Sequence, residues 1–176
     1  MTEVDKTNQA RLVSLFEESY DKIAHYVYSH IGDKTEAEDI ASEVFLKALE
    51  SLKTYKERGI PMQAWLFKIA HNLVVDHLRK VTKHKTVSID TVEIRDEANP
   101  EATLEMNIEL ERVTRSMKEL TEEQREIVRL RFFGGLTSRE VGSLLGKSDG
   151  AVREMQRAAL EKLRQLLSES NHRGKI

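Results

Sequence analysis

The stretch from Gly135 to Leu167, GLTSREVGSLLGKSDGAVREMQRAALEKLRQLL, constrains the chain most. Thr137 followed by Glu140 has the spacing of a capping box, in which the Thr oxygen takes the Glu amide and the Glu carboxylate reaches back. A short helix begins there with Val141, Leu144 and Leu145 on its apolar side. Gly146 then supplies a residue that tolerates positive φ at a helix C-terminus, and Ser148 is a good N-cap for a second helix. Along that helix Val152, Met155, Ala159, Leu163 and Leu166 recur as one stripe, while Arg153, Gln156, Arg157 and Arg164 fall off it. Two helices, a tight glycine turn, and Arg and Gln near the front of the second helix are the pattern of a helix-turn-helix. Arg can bond guanine edges and phosphates, and Gln can bond adenine edges. An ordinary helical hairpin with a solvated basic face has the same pattern, so this stretch alone leaves both readings open.

Only two Pro and eight Gly among 176 residues, with many Leu, Glu, Lys and Arg, predict an all-α protein. The absence of Cys removes disulfides, thiolate metal sites and a catalytic thiol, and fits a reducing cytoplasm. No apolar run approaches the ~20 residues of a membrane span, and the N-terminal MTEVDKTNQARL lacks a signal-peptide core, so a cytoplasmic protein without membrane insertion is expected.

The net charge of −2 hides a segregation. Residues 32–50 hold two Lys against six acids, and residues 52–86 hold eight Lys or Arg against two. Residues 87–124 hold four Lys or Arg against eleven acids, and residues 125–176 hold eleven against six. Any one block reads as a solvated helix face. The alternation points to two DNA-facing surfaces separated by a segment kept off DNA.

Residues 8–31 read as a first helix, with Leu12, Leu15, Phe16, Ile23, Tyr26, Val27 and Ile31 at helical spacing and Gly32 ending it. His25 and His30 read as ordinary surface or boundary histidines. Residues 34–53 make a second helix, with a capping box expected at Thr35 and Glu38. Its apolar side is Ile40, Val44, Leu46, Ala48, Leu49 and Leu52, and Glu36, Asp39 and Glu43 form an acidic stripe. The stripe is either a charged outer face or a docking face for a basic partner, and no His stands with it to make acid–base or metal chemistry. Gly59 and Pro61 punctuate a loop bearing Lys56 and Arg58.

Residues 63–80 form a third helix with Trp65, Leu66, Ile69, Ala70, Leu73, Val74 and Leu78 on one side. Lys68, Asn72, Val75, Asp76 and Arg79 line the other, and Asn, Asp and Arg are base-reading types. Trp65 fits a core or boundary position better than a stacking platform. Residues 81–108 lose the helical period, turn acidic after Asp90, and carry an Asn99-Pro100 turn, so a mobile acidic linker is expected. Helical spacing resumes at 109–120. A capping box at Thr121 and Gln124 opens a helix whose Ile127, Val128, Leu130 and Phe132 are expected to pack under the helix-turn-helix. The terminal SESNHRGKI is expected to fray.

Both halves resemble one family, the extracytoplasmic-function (ECF) sigma factors of bacterial RNA polymerase. EAEDIASEVFLKALESL is similar to the family's polymerase-binding segment of region two, and FKIAHNLVVDHLRK to its −10-reading helix. LTEEQREIVRLRFFGGLTSREVGSLLGKSDGAVREMQRAALEKLRQLL is similar to region four. The resemblance implies two small helical domains, 8–80 and 109–168, joined by a flexible linker at 81–108, with no enzymatic activity, metal or cofactor. It implies that the polymerase clamp docks against Glu36, Asp39, Ser42, Glu43 and Phe45, with Ser42 standing where the family often has Gln. It places −10 contacts at Asn72, Asp76 and Arg79, with Lys56, Arg58, Trp65 and Lys68 around them, and sets the 54–62 loop near a base flipped from the opened strand. It places −35 contacts at Ser148, Arg153, Gln156 and Arg157, the last substituting for an Arg that many members carry at the position of Ala158. The implied partners are core RNA polymerase, promoter DNA and, as a candidate, an anti-sigma factor. A free-standing helix-turn-helix regulator with an N-terminal sensing or dimerisation domain is the alternative. A sensor domain has no need of the Asn/Asp/Arg face at 63–80, which favours the sigma reading.

Overall fold

The computed structural model describes residues 2–85 and 104–173, and among them every regular element is helical. The elements are α1 (Glu3–Ile31), α2 (Lys34–Ser51), a 3₁₀ turn (Leu52–Thr54), α3 (Met62–Lys85), α4 (Leu104–Met117), α5 (Glu122–Phe132), α6 (Ser138–Leu145) and α7 (Asp149–Arg173). The expected linker lies largely at 86–103, outside the described residues. Two helices enter its range, α3 running on to Lys85 and α4 starting at Leu104.

Caps explain the boundaries. α1 begins earlier than its apolar period indicates because Thr2 and Asp5 form a capping box, with bonds of 3.2 and 2.9 Å. Asp in the place of Glu or Gln hid that signal. Gly32 ends α1 with φ 71°, and its N–H donates to the Tyr28 carbonyl at 2.9 Å. The N-cap of α2 is Asp33, which accepts from the Glu36 amide at 3.1 Å, and not Thr35 as expected. The left-handed Gly32 turns the chain so sharply that the next helix starts at once. The boxes at Thr121/Gln124 and Thr137/Glu140 form as read. α7 continues to Arg173, beyond the expected start of fraying.

α1, α2 and α3 pack on one another around Ile23, Tyr26, Ala41, Val44, Leu66 and Phe67, all inaccessible to solvent. α5, α6 and α7 pack around Ile127, Leu130, Val141 and Val152, and α4 lies along α7. A smaller cluster of Leu120, Val128 and Ala159, with Met117 and Leu163 against it, binds these last helices together. Arg125 closes the end of α4 by donating to the Met117 and Leu120 carbonyls at 3.1 and 3.0 Å.

The two helical groups share one continuous buried core, with α3 packed on α6 and α1 on α5. Gly134 lies against the Phe67 ring, so close that a Cβ there would stand 3.1 Å from the ring and 2.7 Å from the Leu130 carbonyl oxygen. Several apolar side chains depart from the sequence reading. Leu46 and Leu49, expected inside, are 61% and 53% exposed, and Phe132 is 60% exposed. His30, read as a surface or boundary residue, stands at the boundary with its side chain 12% exposed. Its position is set by the second helical group, which a one-helix pattern does not register.

Candidate nucleic-acid interface

α3 buries Leu66, Phe67, Ala70 and Val74, and helical geometry then turns Lys68, Asn72, Asp76 and Arg79 to the opposite side. All four are exposed there. The face carries amide, carboxylate, ammonium and guanidinium groups in one row, which can bond base edges and phosphates. At its N-terminal end Trp65 is half-buried, its ring 4.6 Å from that of Tyr55 at 42°. Tyr55 was not singled out from sequence, since only the turn of the loop brings it under Trp65. Lys56 and Arg58 are exposed on this loop, and Arg11 of α1 is tied to its Glu57 at 3.3 Å. Between the loop and α1 lies an open groove of about 470 Å³ bordered by Arg11, Ser14, Leu15, Pro61, Met62 and Gln63.

α2 presents a different surface. Glu36, Asp39, Ser42 and Glu43 are exposed, and Leu46 and Leu49 continue the same side. The spacing 39, 42, 46, 49 carries that signal, because it is out of phase with the buried Ala37, Ile40, Ala41, Val44 and Ala48. Apolar side chains rimmed by carboxylates make a surface suited to a protein partner. Glu36 leans toward α3, where its carboxylate is 3.6 Å from His77 Nδ1. Phe45 does not join this surface. It is 7% exposed and meets Phe16 edge-on at 4.6 Å, so it supports the face from beneath.

In the helix-turn-helix, Gly146 takes φ 69° and Ser148 accepts from the Ala151 amide at 3.1 Å, capping α7. Arg153 and Arg157 project from α7, 68% and 66% exposed at their side chains. Each rests on acids of its own helix: Arg153 is 3.6 Å from Asp149, and Arg157 is 2.5 Å from Glu154 and 3.6 Å from Glu161. The Arg157 bond holds the Glu154 carboxyl below its usual range. Such exposed pairs are worth little and exchange readily for phosphate. Gln156 is half-buried, and its side-chain oxygen accepts from Arg131 Nε at 2.9 Å, while Arg131 also donates to the Leu136 carbonyl at 2.5 Å. Sequence placed Gln156 on the open face; in the fold Arg131 orients it, a contact invisible to the period of one helix.

Two family models match the chain, Sigma-70 region 2 over residues 15–84 and Sigma-70 region 4 over residues 116–165. Among curated relatives, the ECF RNA polymerase sigma factor ShbA of Streptomyces griseus is 37% identical over 134 residues, which is 73% of this chain and 70% of that protein. The chain belongs to the ECF sigma factors. The sigma factor BldN of Streptomyces coelicolor is 33% identical over 157 residues, 87% of this chain but 59% of its own length. The chain thus spans less than two thirds of BldN. Among solved structures, the fold is similar to CnrH, determined with the cytosolic domain of CnrY, at a TM-score of 0.69 and 23% identity, covering 95% of this chain and 94% of that one. It is also similar to the sigma factor RpoE of Bartonella quintana, determined with the anti-sigma factor NepR, at a TM-score of 0.67 and 20% identity, covering 88% and 95% of the two chains. Among the described residues of this sigma factor, no group of three or more His, Cys, Asp or Glu is arranged to hold a metal ion, and no helix is long and apolar enough to cross a membrane.

Proposed function

We propose that this ECF sigma factor binds core RNA polymerase in the cytoplasm and directs it to start transcription, recognising the promoter at two elements and opening it at one. Residues 8–80 form the unit that docks on polymerase and handles the −10 element, and residues 109–168 form the unit that reads the −35 element. The observation that carries this reading is the pair of exposed base-reading faces, Lys68/Asn72/Asp76/Arg79 on α3 and Arg153/Arg157 on α7, one within each family match. Glu36, Asp39, Ser42 and Glu43, together with Leu46 and Leu49, dock on the polymerase clamp. The 54–62 loop, with exposed Lys56 and Arg58 and the Tyr55/Trp65 pair, receives a base turned out of the opened strand. Flipping costs a few kcal/mol, and basic surroundings and stacking offset it. The chain has no catalytic residue in this scheme, and polymerase supplies all the chemistry. An anti-sigma factor is a further proposed partner, since CnrH and RpoE were each solved with a protein bound.

Run-off transcription with core enzyme on a promoter library tests the proposal. The expected outcome is promoter-specific transcripts only when chain and core are combined, with weak DNA binding by the chain alone. Tight promoter-specific binding by the isolated chain, with no affinity for core enzyme, overturns it in favour of a free-standing regulator.

A further inference from the structure

The junction between the two helical groups holds one buried carboxylate. Glu126 of α5 has a side chain 8% exposed and sits among polar groups from three helices. From α1, the Tyr26 hydroxyl donates to Glu126 Oε1, and His30 Nε2 lies 2.7 Å from Oε2. From α3, His71 Nδ1 lies 3.1 Å from Oε1 and 3.2 Å from the Tyr26 hydroxyl. From α5 itself, Arg129 stands 3.7 Å from Oε2, with Arg125 and Glu122 further out in its field. The polar partners from α1 and α3 exist for Glu126 only while the groups are together. When they separate, water can satisfy each one. Buried ion clusters add little net stability over an apolar contact but specify one arrangement, and removing one member leaves the others unpaired. An interface of this kind is specific and reversible.

We propose that Glu126 is an interdomain latch: it holds the free sigma factor closed by engaging Tyr26, His30 and His71, and assembly on polymerase requires that contact to break. The second half rests on the sigma reading. Elements named for positions −10 and −35 differ by about 25 base pairs, or about 85 Å of duplex at 3.4 Å per base pair. The longest helix, α1 with 29 residues, spans about 43 Å at 1.5 Å per residue. A compact chain of this size has a radius of gyration of about 16 Å. With Phe67 against Gly134 and Glu126 against Tyr26, the closed chain is too short to reach both elements. The latch therefore lowers apparent affinity for polymerase by the fraction of chains that are open.

The sequence has no Cys, so paired labels on Lys22→Cys and Gln165→Cys, both at exposed positions of α1 and α7, report the interdomain distance alone. Double electron–electron resonance on the full chain is expected to give one narrow distribution for the parent. Glu126→Gln is expected to give a broad, longer one, with the closed-to-open ratio reduced at least tenfold. Tyr26→Phe, which removes only the hydroxyl from the other side of the junction, is expected to shift the ratio the same way, and it decides the matter if Glu126→Gln loses helical content by circular dichroism. Core polymerase is expected to bind Glu126→Gln several-fold more tightly than the parent. A parent that is already broad, or variants that stay narrow, overturns the latch. Failure of transcription by the parent overturns the sigma reading and leaves the distance result standing.

Discussion

At the scale of single residues, two glycines do work that the sequence marks unequally. Gly146 was legible, because a glycine after an apolar run and before a Ser cap needs only local reasoning, and it takes φ 69°. Gly142 was not, since nothing local distinguishes it from an ordinary α6 residue. In the fold it is buried, and a Cβ there would stand 2.5 Å from the Lys147 carbonyl oxygen. That close approach lets the Lys147 amide donate to the Gly142 carbonyl at 2.8 Å and fixes the turn. Gly142→Ala is therefore expected to destabilise the 109–168 unit by about 1–3 kcal/mol, through forced backbone displacement, despite the better helix propensity of Ala. Chemical denaturation followed by circular dichroism measures it, and an unchanged or raised midpoint refutes it.

At the scale of elements, the two helices proposed to meet DNA and polymerase differ in how their faces are built. α7 keeps Arg153 and Arg157 one turn apart beside the buried Val152 and Ala159. If Arg153 bonds a guanine edge, Arg153→Ala is expected to cost about 1–3 kcal/mol and relax preference at one base pair. Arg157→Ala is expected to weaken all −35 sequences alike and reduce the salt slope by about one unit. Holoenzyme binding to matched and altered −35 elements at several salt concentrations separates the two. Parent behaviour from both variants means that α7 is not the reader. On α2, Asp39→Lys with Glu43→Lys is expected to weaken core polymerase binding at least tenfold without loss of helical content. Leu46→Ser with Leu49→Ser should do the same if the apolar centre of that face contributes. Core affinity measured by fluorescence anisotropy decides it, and no change for either pair reduces the face to ordinary solvated surface.

At the scale of the whole molecule, the junction couples the arrangement of the two units to pH. Burial lowers the affinity of His30 for a proton below its usual value of 6.5, with Arg129 and His71 acting in the same direction and Glu126 against it. Burial pushes the Glu126 carboxyl up, but the His30, His71 and Tyr26 contacts outweigh this and bring it well below its usual value of 4.5. Both groups thus hold a proton more readily once the units separate. A group with a depressed value in the closed state favours closure fully above its free value and loses that contribution as pH falls. The closed population is expected to be largest above about pH 6.5 and to fall as pH drops below that value and His30 charges in the open form. A further fall is expected below about 4.5 through Glu126. Titrating the same label pair reads this, and His30→Gln should flatten the upper part of the curve. A closed population that grows on acidification contradicts it.

Local patterns in the chain were enough to determine that its helices exist, though not all of their ends, and also two of its capping boxes, its glycine stop at 146 and the helix faces at 68–79 and 153–157. Each of these depends on contacts within a few residues, where helical period and cap chemistry leave one solution. Leu46 and Leu49 were legible in principle, because their phase follows Asp39 and Ser42; apolar type was mistaken for burial. The seating of Gln156 on Arg131, the tilted contact of Tyr55 with Trp65, and the enclosure of Glu126 by Tyr26, His30 and His71 were decided only by tertiary structure. Tyr26 and Glu126 are 100 residues apart in sequence. Their meeting depends on how one helical group packs on another, and no helix carries that information in its own period.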